Sequence, residues 1–241
     1  MRGGSDSRAE GREALRPWGF WTTLGWGVLG YGLIVLAQLV SIVGVALALR
    51  ERRPEAALGA AAESGLALAL GVLVALPLVL TVVWLAVRLR RGWDLRTYLG
   101  LRPVGWRRLL GWLALTLALE ALAWSAGTVF DRPPVPEFMR RAYASAGSLP
   151  LLWVAVVVAA PLMEEPLYRG LMLRGWSAVS GPWTGAVLVS LVWSVSHVQY
   201  DLYDLAQVFV LGMVLAAARV RTGSLYVPLA MHGLVNLVAM I

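Results

Sequence analysis

The chain has no cysteine and no lysine among its 241 residues. Without cysteine there is no disulfide, no thiolate nucleophile and no Cys-based zinc site. Charge is also scarce: 15% of residues are charged, where a soluble domain carries about 25%. The net charge of +7 comes entirely from 21 arginines against 14 acids. These arginines sit in short segments between apolar runs, the pattern of membrane proteins, and this excludes a nucleic-acid-binding role. Several hydrolase signatures are missing as well. There is no HExxH and no GxSxG, and neither the GxGD of aspartyl intramembrane proteases nor the GxSG of rhomboids occurs.

What fills the sequence is apolar: 59% of residues are hydrophobic, and mean hydropathy is +0.70. Seven apolar segments stand out, at 19–49, 66–89, 109–130, 149–175, 182–199, 203–220 and 224–241. Each is near the length that spans a bilayer. The alternation expected of a β-barrel strand is absent. The expected fold is therefore an all-α polytopic membrane bundle of about seven transmembrane helices. The first segment is too long for the apolar stretch of a secretory signal, about 7–15 residues, so it reads as a retained helix.

Arginine placement sets the expected orientation. With the N-terminus inside, 14 arginines fall on inner segments and 6 on outer loops, which favours N-in. Residues 1–17 form a polar inner tail. Residues 18–130 form an accessory three-helix part, the Pro-rich stretch 131–148 a linker, and residues 149–241 a four-helix catalytic core. Tryptophans such as Trp18, Trp93, Trp106 and Trp183 read as interfacial belts. The run from Arg88 to Arg108 reads as a topology signal, with anionic lipid head groups as the weaker alternative.

An ionisable group costs about 2.5–3.5 kcal/mol at the centre of an inserted helix, so those that remain are kept for pairing or function. In the first three segments the deep candidate is Glu120, expected to face the bundle or a water cavity. The last four hold a cluster: Glu164, Glu165, Arg169, His197, His232 and Asn236. Glu165 and Arg169 are four apart and are expected to pair. Glu164 points about 100° away and is left available. His232 and Asn236 also share a face. Counted at about 1.5 Å per residue, Glu164, His197, His232 and Asn236 reach depths of about 16, 22, 12 and 18 Å from the inner side. One middle layer results. A carboxylate and an imidazole there can deprotonate a shared water. A second His and an Asn amide can hold the oxygen that turns negative as water adds to a carbonyl.

These residues resemble the CPBP family (CAAX proteases and bacteriocin-processing proteins, also called Abi). Glu164-Glu165-Pro166-Leu167-Tyr168-Arg169 fits its EExxxR motif. Trp193 to His197 resembles its FxxxH motif, with Trp193 where Phe is usual. Phe209 to Gly212, Thr222 to Leu225, and His232-Gly233-Leu234-Val235-Asn236 look like its later blocks, with Ala216 where a second Gly is common. The resemblance covers about residues 149–241. It implies an intramembrane glutamate protease acting on a membrane-associated peptide or protein in a bacterial cell membrane. Glu164 and His197 would activate water, His232 and Asn236 would form the oxyanion hole, and Glu165 and Arg169 would support them. No cofactor is expected. If a metal such as zinc were bound, Glu164, His197 and His232 would hold it. The competing readings are a non-catalytic scaffold or immunity-type binding protein and, behind it, a proton-coupled carrier, since buried Glu and His also relay protons.

Overall fold

The computed structural model describes residues 15–50, 57–133 and 135–241. Most of the expected polar tail, together with Arg52 and Arg53 of the first outer loop, lies outside the described residues. The described residues are helical throughout, without strands. Helix α1 is Phe20–Leu49, α2 is Ala57–Ala62, α3 is Gly65–Leu89, α4 is Leu95–Leu99, α5 is Trp106–Val129 and α6 is Glu137–Ala144. Helix α7 runs from Leu149 to Ser180. Helices α8, α9 and α10 are Pro182–Val195, Leu202–Thr222 and Tyr226–Val238.

Helices α1, α3, α5, α7 and α9 are long and apolar enough to cross a membrane, while α8 and α10 are apolar but shorter. The seven apolar segments thus correspond to seven apolar helices, and the chain is a multi-pass membrane protein. At about 1.5 Å per residue, 14 and 13 residues make α8 and α10 about 20 Å long, short of the roughly 30 Å hydrocarbon layer. The short helices matter, because the turn after α8 carries His197 and α10 carries His232 and Asn236.

Local chemistry explains the boundaries. Ser64 caps α3 by accepting from the Leu66 N–H, and Asp201 caps α9 by accepting from the Asp204 N–H, each satisfying a first-turn donor. Gly223 closes α9 in the left-handed conformation, at φ +68°, which glycine adopts without steric cost. Two boundaries differ from the sequence reading. The 182–199 segment stops being helical at Val195, and the 131–148 stretch contains α6. There the Ser145 hydroxyl accepts from the Gly65 N–H at 3.1 Å, docking this stretch against α3.

Helix α7 is the axis of the bundle. Met163, Leu167, Tyr168, Leu171, Met172 and Trp176 are all at most 2% exposed. Lipid tails are as apolar as Leu, so helix association in a bilayer depends on close packing more than on a hydrophobic force. The α1–α7 contact shows this. A side chain at Gly27 would meet the Met172 methyl at 2.6 Å, and one at Gly30 would meet Leu167 at 2.9 Å. By contrast, α1 and α5 present large apolar residues outward, including Trp21, Leu47, Leu122 and Trp124, each more than 60% exposed. That is the surface a bilayer covers.

Hydrogen bonds define the two ends. The Trp18 indole donates to Ala86 O at 2.8 Å, Trp176 donates to Phe20 O at 3.3 Å, and the Leu225 N–H donates to Gly100 O at 2.9 Å. These bonds gather the start of α1, the end of α3, α4, the C-terminal part of α7 and the α9–α10 turn. The arginine segments assigned to the inner side lie together there. At the opposite end, Arg132 pairs with Asp201, and Arg141 pairs with both Glu63 and Glu137.

Candidate active site

The site begins with an irregularity in α7. Its backbone is π-helical over Val154–Ala159 and again over Pro166–Met172, with a single α-helical turn, Ala160–Glu165, between them. Such wide turns are rare and collect at functional sites. In the π register, Ala160 N–H bonds to Ala155 O. The next bond would run from residue 161 to Val156 O, but Pro161 has no N–H. Asn236 supplies the missing donor, its Nδ2 bonding Val156 O at 2.8 Å. One hydrogen of the Asn236 amide is thereby committed to the backbone, and the other remains.

The turn between the π stretches carries the two glutamates. Arg169 Nη1 donates to Glu165 Oε1 at 2.9 Å, the i,i+4 pairing the spacing predicts. The same oxygen accepts from His232 Nδ1 at 2.8 Å. Glu165, Arg169 and His232 are all buried, the first two completely. The contact between His232 and Glu165 has no counterpart in the sequence reading, where His232 was coupled to Asn236 alone. A carboxylate can only accept, so Nδ1 carries the proton and Nε2 is the nitrogen left for other partners.

Glu164 turns elsewhere. Its Oε2 accepts from the Trp193 indole at 2.6 Å. Trp193 is the hub of the layer. The Arg169 guanidinium lies 4.2 Å from its ring centroid, and His197 and His232 meet it edge-on at 5.2 and 5.3 Å. His197 does not lie within a spanning helix, as 182–199 implied. It sits on the turn after α8, where its Nδ1 bonds Trp193 O at 2.8 Å. A carbonyl cannot donate, so Nδ1 holds the hydrogen and a neutral His197 offers the Nε2 lone pair.

Glu164, His197, His232 and Asn236 line one cavity of about 500 Å³. It is not enclosed by residues 149–241 alone. Leu68 and Val72 of α3, Glu120 of α5 and Met139 of α6 contribute to its wall. The sequence singled out Glu120 but did not connect it to Glu164. It also missed Trp193 as a donor and Tyr200, which lines the cavity and packs its ring 5.6 Å from that of His197. No motif marks Tyr200. Trp193 was noted only as a departure from Phe, although its indole N–H is a donor that Phe lacks. Among the described residues, no three His, Asp or Glu side chains are grouped to hold a metal ion. The set Glu164, His197 and His232 is therefore not gathered around one point.

Comparison with known proteins finds a likeness in the C-terminal part of the chain. Residues 146–238 match the family described as Type II CAAX prenyl endopeptidase Rce1-like. This segment, which contains all of α7 to α10, is thus similar to that family, the CPBP family. A protein of Escherichia coli described as "Uncharacterized 24.3 kDa protein" is 35% identical over 105 residues, covering 41% of this chain and 48% of that protein. The chain thus spans about half the length of the curated relative it matches. No solved structure matches the chain.

Proposed function

We propose that this protein is an intramembrane endopeptidase of a bacterial plasma membrane, hydrolysing a peptide bond of a membrane-associated protein or peptide. The observation that carries the reading is the single cavity onto which Glu164, His197, His232 and Asn236 all open. The Rce1-like match of residues 146–238 supports the reaction class, and the Escherichia coli relative supports the bacterial setting. Residues 149–241 act as the catalytic core. Residues 18–130 are an accessory part that completes the cavity wall.

In this reading a water molecule sits between Glu164 and His197 Nε2. They remove its proton as its oxygen adds to the substrate carbonyl carbon, a step for which positioned bases typically contribute about 10²–10⁴-fold. The carbonyl oxygen becomes negative and is held by His232 and by the second Asn236 hydrogen. As an imidazolium, His232 presents Nε2–H to that oxygen while Nδ1–H stays on Glu165. Preorganised donors of this kind act strongly in a site that excludes water. The proton taken from water passes to the leaving nitrogen. The C–N bond breaks to give an amine and a carboxylic acid, which releases its remaining proton as it leaves. Glu165 and Arg169 are positioning residues: they fix the ring of His232 and the wall behind Trp193.

The test is cleavage of a transmembrane peptide library by purified protein in detergent. Glu164→Gln and His197→Ala should each lower the rate by about 10²-fold or more while thermal melting stays near wild type. Cleavage at the wild-type rate by both folded variants would sink the proposal and leave a non-catalytic binding protein as the better account.

A further inference from the structure

The arginine-rich end contains three guanidiniums that the proposed peptidase reaction does not use. Arg102 follows α4, Arg174 lies near the end of α7, and Arg219 lies near the end of α9. They are graded in depth: Arg102 is exposed, Arg174 is half-buried and Arg219 is only 7% exposed. Arg219 and Arg102 converge on one loop: a side chain at Gly100 would lie 2.5 Å from both Arg219 Nη2 and Gly223 O, and Gly223 O accepts from Arg102 Nε. Among the described residues, none of the three forms an ion pair with a carboxylate. Among the described residues, the four ion pairs outside the Glu165 cluster all involve the opposite end.

Helix capping accounts for part of this arrangement. Arg219 Nη2 donates to Leu99 O at 3.1 Å, and Arg102 Nε donates to Gly223 O at 3.1 Å. These bonds complement the carbonyl ends of α4 and α9. Each guanidinium has five donors, however, and the Nε of both Arg174 and Arg219 is buried without a partner. Burying a cation without a counter-charge is costly, and placing it beside a like charge is more so. The loops that hold these side chains approach the guanidiniums closely, which only glycine allows. A side chain at Gly100 would come within 2.8 Å of the Arg219 Cζ, and one at Gly223 would come within 3.2 Å of the Arg102 guanidinium. Both positions are glycines with positive φ. The Gly100–Leu225 backbone bond and the Ser224 hydroxyl, which donates to Arg102 O at 2.5 Å, lock the two loops together.

We infer that Arg102, Arg174 and Arg219 form a binding site for a phosphate-bearing anion at this end of the bundle. Guanidinium forks match the oxygen geometry of phosphate. The site lies level with Trp93, over which Arg174 stacks at 4.5 Å, and aromatic residues of this kind mark the head-group depth of a bilayer. The chemistry is therefore that of a phosphate group, delivered either by an anionic lipid or as free phosphate. The inference is independent of the peptidase reading, because none of its residues lines the cavity around Glu164.

The full chain in neutral detergent micelles tests it, by thermal melting at constant ionic strength. One arm titrates inorganic phosphate against chloride. The other adds phosphatidylglycerol against phosphatidylcholine. The wild type should be stabilised by phosphatidylglycerol. The Arg102→Gln, Arg174→Gln double variant leaves the buried arginine in place and should need about tenfold more of it, the usual scale for loss of charged contacts. A matching control at the other end, Arg140→Gln, should titrate like wild type. A response to inorganic phosphate as well assigns the site to the free anion. A response to phosphatidylglycerol alone assigns it to the lipid. The inference is overturned if the double variant titrates like wild type, or if chloride and phosphatidylcholine stabilise the wild type equally well.

Discussion

The middle layer and the arginine-rich end both bury charge, and they treat it in opposite ways. In the middle layer Glu165 is flanked by Arg169 at 2.9 Å and His232 at 2.8 Å, so the trio carries its own counter-charges. At the arginine-rich end Arg219 is also buried, at 7% exposed, yet among the described residues no carboxylate pairs with it. A self-contained cluster fixes geometry: it holds His232 and, through Arg169, the face of Trp193. A cluster with surplus charge leaves donors over, the Nε of Arg174 and of Arg219, and these are what the proposed anion would take up. On the two proposals above, the contrast separates residues that would position a reaction from residues that would receive an anion.

If pairing is what makes the middle layer stable, breaking it should have the largest effect on folding. Arg169→Met leaves the Glu165 carboxylate buried with only His232 beside it. Loss of one partner of a buried pair costs about 3–5 kcal/mol. The Arg141–Glu63 pair at the opposite end is exposed and screened by solvent, so Arg141→Gln should barely move the melting curve. Guanidinium chloride unfolding of both variants in micelles checks the ratio. Equal losses would mean that burial of the pair is not what distinguishes the two regions.

How much of this was legible in the sequence follows the same division between local and distant contacts. The i,i+4 spacing of Glu165 and Arg169 was enough to anticipate their bond, because both lie on one stretch of α7. The seven apolar helices followed from run length, and the gathering of arginines at one end followed from their alternation between loops. The bond from His232 to Glu165 joins residues 67 positions apart, and no local pattern encodes it. The end of α8 at Val195 was hidden because Ser196 and His197 continue an apolar run with no Gly or Pro to mark a stop. Helix α6 was hidden for the opposite reason: its charged residues and flanking prolines look like a loop, and docking on α3 overrides that composition. The π-helical stretches were also out of reach, although Pro161 explains in retrospect why Val156 O needs a partner from another helix.

That last point gives the next largest effect. Asn236→Leu leaves the half-buried Val156 O without a donor, a defect of about 1 kcal/mol, the low end of the range for a buried group. Pro161→Ala returns an N–H to the very position from which the π register would bond that carbonyl. In the background of Pro161→Ala, the cost of Asn236→Leu should therefore shrink. A double-mutant cycle by thermal melting measures the coupling directly. Additive losses would show that the Asn236 amide is not compensating for the proline, and would free both its hydrogens for the cavity.

The smallest effect extends the comparison to the opposite end, where charge is exposed and paired. Asp201 accepts from the Asp204 N–H and then from Arg132, and these bonds hold its carboxyl below the usual value of 3.8. A carboxyl depressed on folding contributes stability above its unfolded value, and the contribution fades as pH falls through the folded value. Asn at this position still caps α9 but cannot carry the charge that faces Arg132. Asp201→Asn should therefore melt slightly earlier than wild type at neutral pH. The difference should close as the buffer is taken below pH 3.8. A gap that persists unchanged into acid would assign the loss to the helix cap, and the ion pairs at this end would then contribute nothing to holding α5 against α9.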